Sequence, residues 1–160
     1  MERKTRVAVV VLFVVLSIVS LMPAQGFAQQ KVYELRYANM FPAPHKNSLM
    51  CEAWCREVEK RTNGRVKISY FPGGTLTPPA QTYDSITTGI TDIGMSVFNY
   101  TRGKFPVMDA INQPMGYKSA YLVTKLANEF YKKFKPKELD EVKVMYLHGH
   151  GPGIMHTKSR

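Results

Sequence analysis

Cys51 and Cys55 stand one helical turn apart, and His148, His150 and His156 crowd a glycine-rich stretch near the end of the sequence. These side chains carry the most reactive chemistry in the chain. A thiol pair at i,i+4 spacing could form a disulfide or take a metal, but helix geometry holds it in an arrangement poorly suited to a strain-free disulfide. Both cysteines also fall on one apolar arc with Met50, Trp54 and Val58, where a free thiol behaves as a small buried hydrophobe. The histidines could ligate a transition metal, because neutral imidazole is a common ligand and His-x-His can bring two rings together. No carboxylate or cysteine sits beside them to complete the set. Gly149-x-Gly151-x-Gly153 has the wrong spacing for a dinucleotide loop, and no helical pattern follows it. The chain also lacks a Gly-x-Ser-x-Gly turn. The residues therefore call for no cofactor and no enzyme; a small secreted metal-binding enzyme built on His148 and His150 is the alternative.

The elements that must position any site follow from periodicity. Tyr33 to Ala38 and Val66 to Phe71 alternate with period 2, which predicts two strands, and the intervening Ser48 to Thr62 repeats at 100° per residue, which predicts an amphipathic helix. A strand-helix-strand order makes the pair parallel. Ser48 is the expected N-cap, Glu52–Arg56 and Glu57–Arg61 are i,i+4 pairs, and Asn63-Gly64 ends the helix. A second helix is expected from the cap Thr77 and Pro78 to Gly89, then a third strand from Ile93 to Phe98. Asn99 to Gly116, with Gly103, Pro106 and Pro114, reads as a long excursion. A helix from Ser119 to Phe134, with Lys132, Lys133 and Lys135 at its C-terminal end, and a last strand from Val142 to Leu147 complete the pattern. This predicts an α/β fold with an open, mostly parallel sheet and helices on both faces. Ligands of such sheets bind beyond the carboxyl ends of the strands. Four segments qualify, Asn39–Asn47, Gly73–Thr77, Phe98–Arg102 and His148–His156, and none contains Asp or Glu.

Arg3, Lys4 and Arg6, the apolar run Val7 to Met22, and the small or polar residues Pro23 to Ala28 have the order of a secretory signal peptide, with cleavage expected after Ala28. The run is shorter than the roughly 20 residues a spanning helix needs, and no cysteine follows it to take a lipid. The mature protein is thus expected free in the periplasm and not membrane-anchored, with one domain from residue 29 to 160. The net charge of +10 favours anionic partners. Its lysines and arginines are scattered rather than gathered on one helix face, which argues against nucleic acid and for an acidic small molecule.

Thr62-Asn63-Gly64-Arg65-Val66-Lys67-Ile68, Phe71-Pro72-Gly73-Gly74-Thr75-Leu76 and Gly89-Ile90-Thr91-Asp92-Ile93-Gly94, with the Phe105-Pro106 to Pro114 excursion behind them, closely resemble the solute-binding proteins of tripartite ATP-independent periplasmic (TRAP) transporters of the dicarboxylate-receptor type. The resemblance implies one lobe of a two-lobed receptor that closes on a small organic acid and passes it to TRAP membrane permease subunits. It also implies an arginine clamp for the carboxylate in the second lobe. Residues 29–160 match the first lobe, the second is missing, and Arg160 does not match the clamp. The matching first-lobe positions are Asn39, Phe41 and His45, Thr75 and Pro79, Val97, Phe98, Asn99 and Tyr100, and His150 and Ile154. Pro79, Val97 and Ile154 are apolar where relatives that take very polar acids carry charged or polar groups, so with Phe41, Phe98 and Tyr100 they imply an acid with an aromatic or apolar body. A lobe of an ABC-type receptor would share this architecture and differ in its membrane partner.

Overall fold

Alternation from Tyr33 onward produces β1 (Tyr33–Asn39), the central strand of a 3-stranded sheet whose order is β2-β1-β3. β2 (Val66–Phe71) and β3 (Ile93–Met95) both run parallel to β1, with Ala38 opposite Phe71 and Asn39 opposite Met95. The computed structural model describes residues 31–113, 115–151 and 158, and all elements named here lie in the compact unit that begins at Val32. The expected leader, Met1 to Ala28, lies outside the described residues.

Parallel neighbours need crossovers. The first is α1 (Lys46–Arg61), the second a 3₁₀ turn (Pro79–Gln81) that runs into α2 (Thr82–Thr87). α1 lays Cys51 and Cys55 against Tyr37 and Met95, and these four form a buried cluster edged by Phe41, Ile68, Tyr70 and Ile93. Both cysteines are free thiols. The opposite face is built differently. The pleat turns Gly94 away from α1, and a Cβ placed there would stand 2.7 Å from Ile86 Cδ1 and from Thr82 Cγ2. α2 therefore approaches the sheet as closely as a missing side chain permits, and helices cover both faces as expected.

α1 begins at Lys46 rather than at Ser48, and its N-cap is His45, whose Nδ1 accepts the Asn47 N–H. Ser48 is instead 1% exposed, and its hydroxyl donates to the Phe41 carbonyl. The expected ion pairs Arg56–Glu52 (2.9 Å) and Arg61–Glu57 (2.7 Å) form. Asn63 and Gly64 adopt φ of 51° and 74°, and the Gly64 N–H reaches back to the Glu59 carbonyl, which closes the helix in left-handed backbone. Thr77 is not a cap: it is buried, Pro78 precedes the 3₁₀ turn, and the helix proper starts five residues later.

β3 stops at Met95, short of the expected Phe98. Phe98–Tyr100 winds into a 3₁₀ turn that brings the Phe98 ring to 5.0 Å from Phe105, so burying that ring wins over extending the ladder. The excursion supplies a 3₁₀ segment, Met108–Asn112, whose first amides, Val107 and Met108, donate to the Glu138 carboxylate. Phe105, Met108 and Ile111 join Tyr83, Ala127 and Leu139 in a second core, beneath α3 (Ala120–Phe134). Ser119 caps α3 by accepting the Leu122 N–H, Lys132 and Lys133 occupy its last turn, and Lys135 ends it at φ 41°.

The last expected strand, Val142 to Leu147, has no ladder partner among the described residues. Its alternation reflects a different burial: Val142, Val144 and Leu147 pack against the second core, while α3 side chains serve its backbone. The Asn128 amide donates to the Leu147 carbonyl (2.7 Å) and accepts its N–H (3.3 Å), and Thr124 Oγ1 accepts the Gly149 N–H (2.9 Å).

Candidate functional site

Because the strands are parallel and in register, their carboxyl ends, Asn39, Phe71 and Met95, lie on one edge of the sheet. The turns that follow are laced together there. Gly73 and Gly74, both left-handed at φ 68° and 70°, aim their N–H groups at the Phe41 and Asn39 carbonyls (2.8 and 2.9 Å). A non-glycine residue adopts such φ values at a cost. Across the edge Ser96 Oγ donates to the Pro79 carbonyl and Thr101 Oγ1 to that of Ala80. The His148 segment reaches the same end through Tyr146, whose hydroxyl donates to Met95 Sδ at 3.7 Å.

The candidate contacts divide by what already holds them. Asn39 is 1% exposed, and its amide is engaged at both ends: Nδ2 donates to Tyr70 Oη (2.7 Å) and Oδ1 accepts the Phe41 N–H (2.9 Å). Phe41 is half-buried and stacks on the exposed His45 ring, centroids 4.3 Å apart and planes 8° from parallel. Thr75 is exposed and donates to the Pro72 carbonyl; Pro79 is half-buried. On the 3₁₀ turn Phe98 faces the core, Asn99 Oδ1 accepts from Asn112 (2.6 Å), and Val97 and Tyr100 are 36% and 49% exposed. His150 is exposed, with Nδ1 2.6 Å from the Gly151 carbonyl. Ile154 lies outside the described residues. The structure thus brings Asn39, Phe41 and His45 into one assembly and Val97 to Tyr100 into another.

Sequence reasoning gave Tyr70 no part in this edge, and read Ser48 and Thr77 as helix caps, Thr77 within the candidate segment Gly73–Thr77. Tyr70 and Ser48 hold Asn39 and Phe41 in place; the signal was a tyrosine in the otherwise aliphatic inward pattern of β2. Thr77 Oγ1 is buried with no hydrogen-bond partner among the described residues, and a buried orphan hydroxyl next to a candidate loop is a binding-site feature. Electrostatically the edge is undemanding. Burial lowers the His148 imidazole below its ordinary range, His150 adding to the effect. Burial raises the Tyr37 phenol well above its ordinary range, its bond to Cys51 adding to the effect. Among the described residues no three His, Cys, Asp or Glu side chains gather as a metal site.

Residues 38–160 match the family described as bacterial extracellular solute-binding protein, family 7. The chain belongs to this family. Family 7 is a family of solute receptors, and its solved members resemble this chain in structure. A TRAP periplasmic solute-binding protein of Desulfovibrio salexigens is 34% identical, with a TM-score of 0.61 over 68% of this chain and 34% of its own. A marine-metagenome TRAP solute-binding protein specific for aromatic acid ligands, crystallised with 3-hydroxybenzoate, is 27% identical, with a TM-score of 0.70 over 76% of this chain and 39% of its own. A TRAP solute-binding protein of Rhodoferax ferrireducens, in complex with copurified benzoate, is 25% identical, with a TM-score of 0.69 over 76% and 38%. The family 7 chain described here therefore spans well under half the length of the solved relatives it matches, and its sheet is that of one lobe.

Proposed function

We propose that this chain is the first-lobe portion of a periplasmic receptor, exported behind a cleaved leader, that captures a monocarboxylic acid with an aromatic or apolar body for TRAP membrane permease subunits. One observation carries the reading: the loops at the carboxyl edge present the stacked Phe41–His45 pair, Val97 and Tyr100 and contain no carboxylate. Such a surface suits an apolar ligand body and does not repel an anion. Solved family 7 relatives that hold benzoate or 3-hydroxybenzoate support it.

Calorimetry on the mature protein, in the longest form its gene encodes, tests the proposal. Benzoate and 3-hydroxybenzoate are expected to bind at least about tenfold, or 1.4 kcal/mol, more tightly than succinate. The opposite order would defeat the apolar-body reading. Residues 29–160 by themselves are expected to bind the same acid more weakly by about 30-fold or more, because a desolvated charge contact from a second lobe is worth about 2–5 kcal/mol.

A further inference from the structure

Three elements converge on the two peptide groups that flank Phe41 in the candidate site. The Asn39 amide, at the end of β1, donates to Tyr70 Oη on β2 (2.7 Å); Tyr70 Oη donates to Ser48 Oγ on α1 (2.9 Å); and Ser48 Oγ donates to the Phe41 carbonyl (2.8 Å). The circuit closes where Asn39 Oδ1 accepts the Phe41 N–H (2.9 Å). Each donor has one direction open to it. The Asn39 NH₂ supplies Tyr70, so the phenolic proton must go to Ser48 and the serine proton to Phe41. Asn39 and Ser48 are each 1% exposed, while Tyr70 and Phe41 are half-buried, so water has little access to the Asn39 and Ser48 side chains, and aligned bonds polarise one another. Phe41 in turn carries the stacked His45 ring.

We infer that Tyr70 is a positioning residue of the binding site: through this one-way circuit it locks the Phe41–His45 ring pair in the orientation that receives the apolar body of the acid. The inference rests on the receptor reading above and adds to it the device that fixes the recognition surface before ligand arrives. A preset surface lowers the ordering cost of binding. Tyr70→Phe removes the hydroxyl while keeping the ring, which also meets Tyr37 edge-on at 5.2 Å.

The test uses the mature protein in its longest encoded form and compares wild type with Tyr70→Phe, Ser48→Ala and the double variant. Thr62→Ala, at the far end of α1, serves as a control for general loss of stability. Hydrogen exchange at the Phe41 amide, read without ligand, is expected to quicken in the three relay variants and not in Thr62→Ala. Benzoate dissociation is expected to speed up by about 3- to 10-fold in Tyr70→Phe, the effect of one hydrogen bond. The preference for benzoate over cyclohexanecarboxylate should narrow, and the double variant should be no worse than the worse single one, since both break one circuit. Unchanged exchange at Phe41 in Tyr70→Phe overturns the inference whatever the receptor binds. Quickened exchange with unchanged dissociation and preference overturns it too, and leaves the hydroxyl a purely structural group. A wild-type protein that binds no acid sinks the receptor reading by itself, and the exchange data then stand apart from that failure.

Discussion

Asn39 shows how a residue can sit at a candidate binding edge while its side chain is taken up by hydrogen bonds within the protein. Its amide is spent on Tyr70 and Phe41, so Asn39→Ala should leave a buried N–H without its acceptor. Such orphaned groups cost about 1–3 kcal/mol, a loss expected in urea unfolding; a change under about 0.5 kcal/mol would mean that water replaces the amide. Cys55 makes a second case. Its thiol is buried under α1, and burial, with Cys51 adding to it, pushes its pKa from 9.0 up to about 11. The unfolded chain therefore gives up this proton at lower pH than the native one, so the native state holds more protons between pH 9 and 11 and stability must fall across that window. Cys55→Ala is expected to flatten the fall, as measured by urea titrations at successive pH values. An identical slope in the variant would assign the alkaline loss elsewhere. Rapid alkylation of either thiol in the native protein would likewise contradict their place in the core.

At the scale of elements, the family-like stretch from Gly89 to Gly94 acquires a physical reason. Gly94 lets Thr82 and Ile86 of α2 press on the sheet, and a methyl group there would intrude to 2.7 Å on both. Gly94→Ala should cost about 1–3 kcal/mol as overpacking, measurable as a lower urea midpoint; a neutral result would show that α2 slides freely. β1, α1, β2 and α3 were legible in the sequence because each owes its pattern to its own face: period 2 under α1, period 3.6 over the sheet. What failed depended on distant partners. Val142 to Leu147 alternates like a strand because it is half-buried against the second core, yet Asn128 and Thr124 take its backbone bonds, and no local signal distinguishes a helix-held run from a ladder. β3 shortened because Phe98 found Phe105 within the excursion. The candidate site could be named in the sequence only as a set of loops after strands; the circuit through Tyr70 and Ser48 was not legible, since its members lie on three elements whose meeting is set by packing. Asn128→Ala should quicken hydrogen exchange at the Leu147 amide without unfolding α3, and protection equal to wild type would mean that Asn128 is not what holds the run.

For the molecule as a whole, many large apolar side chains stand exposed among the described residues. Tyr121 is 77% exposed, Met145 65%, Met115 59%, and Met50 and Phe134 56% each. Residues 29–160 are therefore expected to self-associate as concentration rises despite their excess of positive charge, because apolar contact is short-ranged and survives once salt screens repulsion. Sedimentation at low and high salt checks this; a strict monomer at high salt would show those side chains to be too dispersed to matter. The central position of β1 also sets a timetable. The first strand of the chain cannot acquire either neighbour until a crossover has closed: its bond to Tyr70 spans 31 residues and its bond to Asp92 spans 56. α1 and α3 can form from local contacts within microseconds, whereas ring closures of that length are slow to find. The Asn39 circuit, drawing on β1, β2 and α1 together, can only be completed after the first of these closures. In a refolding experiment the loop that carries Phe41 should thus gain protection late, and a chain interrupted midway would have its helices before it had the loop edge at the carboxyl ends of its strands.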